Sequence, residues 1–309
     1  MNIKQSSIRK ACAKNINKFI QYIEILTADG FTEFRPYQFQ AKLLRKFAKS
    51  WINRKEMKHN HVVVAPRQCG KTTIAIIYLL WFALFNEQRT IAILANTELQ
   101  SRSILEKVME LYEHLPDFLK VKITKSKHGR IEFENGSYIF NAPFSSSAVL
   151  GKHIDLIVFD EFAYCKEKSL DQFMKSVFPT VSASVNSQVI LLSTPHGDNE
   201  FYTIYSNAKA GKSSFIATHI GYDCMPGRDE AWKNKTIRDY GIKFFTQEYD
   251  AAFILSTPIE EANTITLNIN TSPLSREEAK GLMEKLKQLF NKKLTIEEVE
   301  DATYDIKFE

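Results

Sequence analysis

Residues 65–72 read Ala-Pro-Arg-Gln-Cys-Gly-Lys-Thr. The gap between Ala65 and Gly70-Lys71-Thr72 is that of a phosphate-cradling P-loop, with Ala in place of the usual first Gly. In that chemistry Lys71 reaches the β- and γ-phosphates and Thr72 offers a hydroxyl to Mg2+. Further along, an apolar run over 156–159 ends in Asp160-Glu161. Adjacent acids at a strand end can divide the work of hydrolysis, Asp160 on the Mg2+ shell and Glu161 polarising the attacking water. Two solvated acids capping a strand are the plainer alternative. Arg67 places a fixed positive charge inside the loop. It could act as an arginine finger in cis, an effect on the order of 10³-fold in rate. It could also clamp a phosphate in the ground state, or hold Glu161 back until DNA binds.

Two further clusters bear on the substrate. Arg35-Pro36-Tyr37-Gln38 lies upstream of the loop. Gln38 can bond both the donor and the acceptor of an adenine edge while Tyr37 packs on its face. With no N/T-K-x-D guanine pattern after the P-loop, this favours ATP over GTP. Ser193-Thr194-Pro195-His196-Gly197 closes the apolar run that follows the two acids. Small hydroxyls such as Ser193 and Thr194 can sense the γ-phosphate and relay its loss to a moving lobe.

These residues need a scaffold. The run at 61–64 predicts a buried strand into the loop, and 72–80 a helix whose first N–H groups face the phosphates. The apolar stretch 74–85 reads as the buried body of that helix. Helices are predicted over 37–53, 97–115 and within 8–29, and strands over 90–95, 155–159 and 189–193. Asn135-Gly136 between 130–133 and 138–141 predicts a hairpin with a type I′ turn. Alternating strands and helices imply an α/β fold, a parallel sheet with helices on both faces and ligands at the carboxyl ends of its strands.

The organisation reads as a P-loop core with N-terminal helices over 1–200 and a small, aromatic and basic helical subdomain over 201–255. A Thr/Asn-rich linker and an acidic helical tail follow over 256–309. In the tail, Ser275 with Glu278 and Thr295 with Glu298 are capping-box signatures. The 309 residues are 44% hydrophobic and 25% charged, enough for one large domain or two. The net charge of +5 is unevenly spread, with 34 Lys and Arg against 25 Asp and Glu up to residue 255 and 7 against 11 beyond it. The basic part suits a polyanion such as nucleic acid, although a merely soluble basic domain would look the same by charge. Cys12, Cys69, Cys165 and Cys224 are scattered, as free thiols in a reducing cytosol would be. His59 and His61 lack a Cys or carboxylate to complete a metal set, and no apolar run approaches the ~18 residues of a membrane span.

Taken in order, the motifs resemble the ATPase domain of the large terminase subunit of tailed bacteriophages, the motor that packages DNA into proheads. Arg35-Pro36-Tyr37-Gln38 resembles its adenine motif. Arg67-Gln68-Cys69-Gly70-Lys71-Thr72-Thr73 resembles its arginine-bearing Walker A, which implies nucleotide contacts for Gln68, Gly70 and Thr73 as well. Asp160-Glu161 matches its Walker B with catalytic glutamate, and Ser193-Thr194-Pro195 its coupling motif. Further similarity runs through 115–119, 199–202, 211–213 and Gln247-Glu248-Tyr249-Asp250-Ala251-Ala252-Phe253, so that it spans about 10–255. The resemblance implies a P-loop NTPase of the ASCE/RecA-like type. It implies ATP and Mg2+ as cofactors, double-stranded DNA, the portal protein and the small terminase subunit as partners, and a homo-oligomeric ring. The place of action would be the host cytoplasm, transiently on the prohead portal, with no membrane. The chain departs from the pattern at Leu150-Gly151, where many terminases carry Arg-Gly, with Lys152 beside it. The 54 residues beyond 255 are too few for the family's nuclease domain, and no strand with a central Asp is legible there. DNA cleavage is therefore not expected of this chain; the nuclease could sit on a separate one. Other readings are a helicase-type translocase and a nucleotide-binding regulatory or assembly subunit.

Overall fold

The computed structural model describes residues 2–254 except 128, 145–148, 150–151, 167–173, 176–177, 179–180 and 182–184, and then 265–267, 294–299 and 303–308. The chain forms two compact units, Met1–Ile254 and Leu255–Glu309.

The first unit is built on the helix after the P-loop, α4 (Lys71–Phe85). Every residue from Ile74 to Leu84 is buried, so this helix has no solvent face and needs partners all round. A sheet supplies one side. α2 (Ile16–Ile20), α3 (Gln38–Ile52) and α5 (Glu98–Glu113) cover the others. α1 (Ile3–Lys14) packs on α2 at the outer end.

The sheet contains β3 (Asn60–Val64), β4 (Thr90–Ala95), β5 (Ile123–Lys127), β6 (Arg130–Phe133), β7 (Tyr138–Pro143), β8 (Leu156–Asp160), β9 (Gln188–Ser193) and β10 (Phe215–His219). Their order is β10-β3-β9-β8-β4-β7-β6-β5, parallel from β10 through β7 and antiparallel at the β6 and β5 edge. The central strands are apolar at nearly every position, as expected where both faces are covered. The second face is covered by α6 (Glu200–Lys209) and a 3-10 turn at Phe162–Tyr164, around Phe159, Phe162 and Phe201. α7 (Glu230–Tyr240) and α8 (Ile242–Glu248) complete this unit.

Several local expectations are corrected. The segment 8–29 is not one helix: after α2 the chain turns into a hairpin, β1 (Glu24–Thr27) with β2 (Gly30–Glu33), where Thr27 and Gly30 close the turn. The turn at Asn135-Gly136 is not type I′, because only Gly136 has a positive φ, at 79°. Gly136 donates to Phe133 and Phe133 to Ser137, a turn widened by a bulge. Asn135 instead turns its amide to the carbonyl of Ala83 at 2.8 Å. In the sheet β9 lies between β3, which leads into the P-loop, and β8, which carries the two acids. β10, from the stretch expected as a small lobe, pairs with β3 at the sheet edge.

In the second unit, β11 (Ile265–Leu267), β12 (Leu294–Val299) and β13 (Thr303–Phe308) form a sheet with β13 central. The Thr295/Glu298 signature therefore lies in a strand rather than a helix, and 294–299 finds its antiparallel partner in 303–308. A strand with a central Asp is present after all, with Asp305 opposite Glu297. The helix expected after Ser275 and the departure at Leu150-Gly151 lie outside the described residues.

A buried polar knot ties α3 and α4 to the sheet. Gln188 is fully buried, accepts from the Tyr78 hydroxyl at 2.6 Å, and donates to the carbonyl of His59 at 2.8 Å and to Ser50 Oγ at 3.1 Å. Ser50 also meets His61 Nε2 at 2.7 Å, and burial holds the His61 ring well below the usual histidine range, so it stays neutral. Replacing Gln188 with Ala leaves the Tyr78 hydroxyl only the long bond to the Phe47 carbonyl at 3.4 Å and opens a cavity, a loss of about 2–4 kcal/mol in urea unfolding. A loss below about 1 kcal/mol would show that the knot repacks.

Candidate nucleotide-binding site

Because β3, β9 and β8 run parallel, their carboxyl ends share one edge, and the loop 65–70 crosses it. Ala65 N–H donates to the carbonyl of Ser193 at 3.0 Å, which anchors the start of the loop. Two left-handed residues shape its turn, Gln68 at φ 59° and Gly70 at φ 79°. Gly70 suits this turn. Its φ disfavours any side chain, and an added Cβ would lie 2.5 Å from Gln40 Nε2.

Gln40 joins the upstream motif to the loop. Its Oε1 accepts from Tyr37 N–H at 2.9 Å and its Nε2 donates to the carbonyl of Cys69 at 2.9 Å, with Gln40 and Cys69 both buried. Tyr37 and Gln38, the residues of this motif that the sequence points to, are both exposed beside the strap.

α4 then begins at Lys71, directing its N-terminus and first side chains at the acids of β8. The Lys71 ammonium is almost buried and lies 2.9 Å from Glu161 Oε1. Thr72 Oγ1 donates to Asp160 Oδ2 at 2.8 Å, while Thr73 lies on the next position of the same first turn. Glu161 Oε2 receives the hydroxyls of Thr194 at 3.2 Å and Ser193 at 3.4 Å. Six of the expected residues thus meet: Lys71, Thr72, Asp160, Glu161, Ser193 and Thr194. Glu161 itself is left-handed at φ 56°. A non-glycine residue in that region costs roughly 1–3 kcal/mol and persists only where its surroundings hold it.

Asp160 fits a divalent cation. Burial and, after it, the neighbouring Glu161 charge push its carboxyl up to about 6. Its Oδ1 is buried and accepts no hydrogen bond among the described residues. One buried free carboxylate oxygen beside a Thr hydroxyl is a hard-oxygen donor set of the kind Mg2+ takes, with phosphates and water filling the rest.

Arg67 is elsewhere. Its guanidinium pairs with Glu248 at the end of α8, and its Nη2 reaches the Tyr164 hydroxyl at 3.4 Å. Tyr164 in turn meets Thr194 at 3.4 Å and stacks on His196. Arg228 donates to the Arg67 carbonyl at 3.4 Å and 3.5 Å, with its guanidinium near the rings of Trp232 and Tyr249. Gln40, Tyr164, Glu248 and Arg228 were not assigned roles from the sequence. Only Glu248 had a signal there, as part of the Gln247–Phe253 stretch.

Among families of known proteins, the one described as terminase large subunit, T4likevirus-type, N-terminal, matches residues 62–272. Among solved structures, the large terminase ATPase domain of Thermus phage P74-26 is similar at 21% identity and TM-score 0.53, over 72% of this chain and 95% of that one. The large terminase of bacteriophage HK97 is similar at 14% identity and TM-score 0.57, over 78% of this chain and 55% of that one. The large terminase of a thermophilic bacteriophage, in complex with ADP, is similar at 17% identity and TM-score 0.54, over 71% of this chain and 54% of that one. The chain therefore spans about half the length of these last two proteins. The shared fold is that of a P-loop NTPase.

Removing the strap should loosen the loop without unmaking the sheet. Gln40→Ala leaves Tyr37 N–H and the Cys69 carbonyl without this partner, so ATP affinity by calorimetry should fall about tenfold, or about 1.4 kcal/mol. Unchanged affinity would mean that the strap does not position the loop.

Proposed function

The chain belongs to the terminase large subunit family of the T4-like type, and from that premise we propose that it is the ATPase of a viral DNA-packaging motor, coupling ATP hydrolysis to translocation of double-stranded DNA into a prohead. ATPase activity follows from the family in general terms. The residue roles below are our reading.

One observation carries it. Glu161 touches both the P-loop lysine and the hydroxyls that end β9. Phosphate oxygens compete with Glu161 for the Lys71 ammonium. As Lys71 turns to them, Glu161 becomes free to take a water proton while that water attacks the γ-phosphorus and the bond to ADP breaks. Thr72 and Asp160 would hold Mg2+, which supplies charge neutralisation at the phosphates. Ser193 and Thr194, bonded to the same carboxylate, register the change at the end of β9. Gln68, Gly70 and Thr73 would line the phosphate path, Tyr37 and Gln38 the adenine. Arg67 would contact the triphosphate. Complexes of the thermophilic-phage relative with ADP and with ATP-γ-S support an adenine nucleotide.

The partners proposed are double-stranded DNA, the portal and the small terminase subunit, with the chain working in a homo-oligomeric ring in the host cytoplasm. The basic excess of residues 1–255 favours the DNA contact.

Glu161→Gln removes the base and keeps its shape. Phosphate release with DNA present should fall by at least about 100-fold while ATP still binds. Normal turnover in this variant would remove Glu161 from the chemistry. Wild-type binding of ATP without any DNA-stimulated turnover would point instead to a regulatory or assembly subunit.

A further inference from the structure

Between Glu33 and Glu56 the chain holds seven Lys and Arg and no Asp or Glu. Most of this stretch is α3, and the helix sorts it by side. Leu43, Leu44, Phe47, Ala48 and Trp51 are buried, while Gln38, Lys42, Arg45, Lys49 and Ile52 follow one another at spacings of four and three and are exposed. Lys42, Arg45 and Lys49 therefore stand in one row along the solvent face. Among the described residues none of the three is paired with a carboxylate. Lys46 borders the row, half-buried, and donates to Thr218 Oγ1 of the edge strand β10 at 2.6 Å. Burial and, after it, the Lys42 charge hold the Lys46 ammonium below the usual lysine range, so the row has a further cation beside it and no acid. A second basic run, 120–130, differs in this respect. There Lys120 pairs with Asp117, and Lys125 and Arg130 both pair with Glu132.

We propose that the solvent face of α3 is a contact surface for the phosphate backbone of duplex DNA, held by Lys42, Arg45 and Lys49. The proposal rests on the reading that this chain moves DNA. Lys42 and Lys49 are about 10 Å apart along the helix axis, and one DNA strand presents a phosphate for about each 3.4 Å of its own axis. Three cations thus meet about three phosphates. All three side chains carry donors and no acceptor, which suits phosphate oxygens. Contacts of this kind fix position without reading sequence, as a chain that moves DNA of any sequence requires. The helix is also firmly mounted. Its other face is buried, and Gln40 in its first turn donates to the Cys69 carbonyl of the P-loop at 2.9 Å. DNA and nucleotide would therefore bear on the same helix.

The test measures binding of the full chain to a duplex of mixed sequence by fluorescence anisotropy, with ATP-γ-S present, between about 50 and 200 mM salt. Each phosphate contact removed lowers the slope of log affinity against log salt by about 0.9. The triple variant Lys42→Gln, Arg45→Gln, Lys49→Gln should therefore lose about 2.7 of the wild-type slope. A matched variant, Lys4→Gln, Lys10→Gln, Lys14→Gln, removes the same charge from exposed positions of α1. It should keep the wild-type slope within about 0.5. A wild-type slope in the α3 variant overturns the proposal, and is the result expected if the row serves an acidic protein surface instead. An equal loss in the two variants also overturns it, because net charge alone would then set the binding. A wild type that binds no duplex at any salt would instead refute the DNA reading beneath the proposal. Should the α3 triple variant not fold, its three single variants decide, each expected to lose about 0.9.

Discussion

A helix with no solvent face constrains everything around it. α4 is apolar on all sides, and each polar group it carries inward must find a partner in the layers that cover it. Tyr78 finds Gln188 and Trp81 Nε1 finds the carbonyl of Cys12. At its C-terminal end the carbonyls of Phe82, Ala83 and Leu84 accept from the side chains of Asn86, Asn135 and Arg9. These donors come from three separate stretches of chain, so the C-terminus is closed. The N-terminus is treated in the opposite way. It opens beside Asp160 and Glu161, and its first-turn N–H groups make a natural seat for an anion.

The strand order converts that seat into a coupled site. With β9 inserted between β3 and β8, Ser193 and Thr194 lie within reach of Glu161, while Ala65 at the mouth of the loop bonds the same β9 end. Lys71, Glu161 and the two hydroxyls form a single polar chain. No apolar packing intervenes between Lys71 and the end of β9 along this chain. The left-handed backbone of Glu161 belongs to this arrangement, because it turns the carboxylate back from the end of β8 toward both neighbours.

Local chemistry was legible in the sequence to the extent that it is local. A tight loop before a helix, a carboxylate pair after an apolar strand and hydroxyls after another are each written in contiguous residues, as is the alternation that implies an α/β sheet. What escaped depends on meetings across the chain. Gln40 is one turn into a helix and reads as an ordinary surface position until the loop 29 residues later places Cys69 over it. Tyr164 and Arg228 matter only because the fold brings them to Arg67. Asn135 illustrates the converse error: its turn signal was read correctly as a turn, but the amide is drawn to the end of α4, and the loop takes the geometry that permits this. In the tail, a capping-box pattern lost to the alternation of 294–299 once an antiparallel partner lay a short turn away.

The two cations of the loop differ in a way that their spacing conceals. Lys71 is nearly buried, and an ammonium there is held closely by the anion it faces, Glu161 Oε1 at 2.9 Å. Arg67 keeps more than half of its side chain in solvent. Its guanidinium stays hydrated in part, and an ion pair so exposed on one side gains little from the low dielectric that strengthens buried pairs. A loop carrying both therefore has one cation enclosed at its base and one half in solvent at its rim. An arginine suits the rim because its guanidinium is more weakly hydrated than an ammonium and presents its donors in a planar fork, here to Glu248 and the Tyr164 hydroxyl.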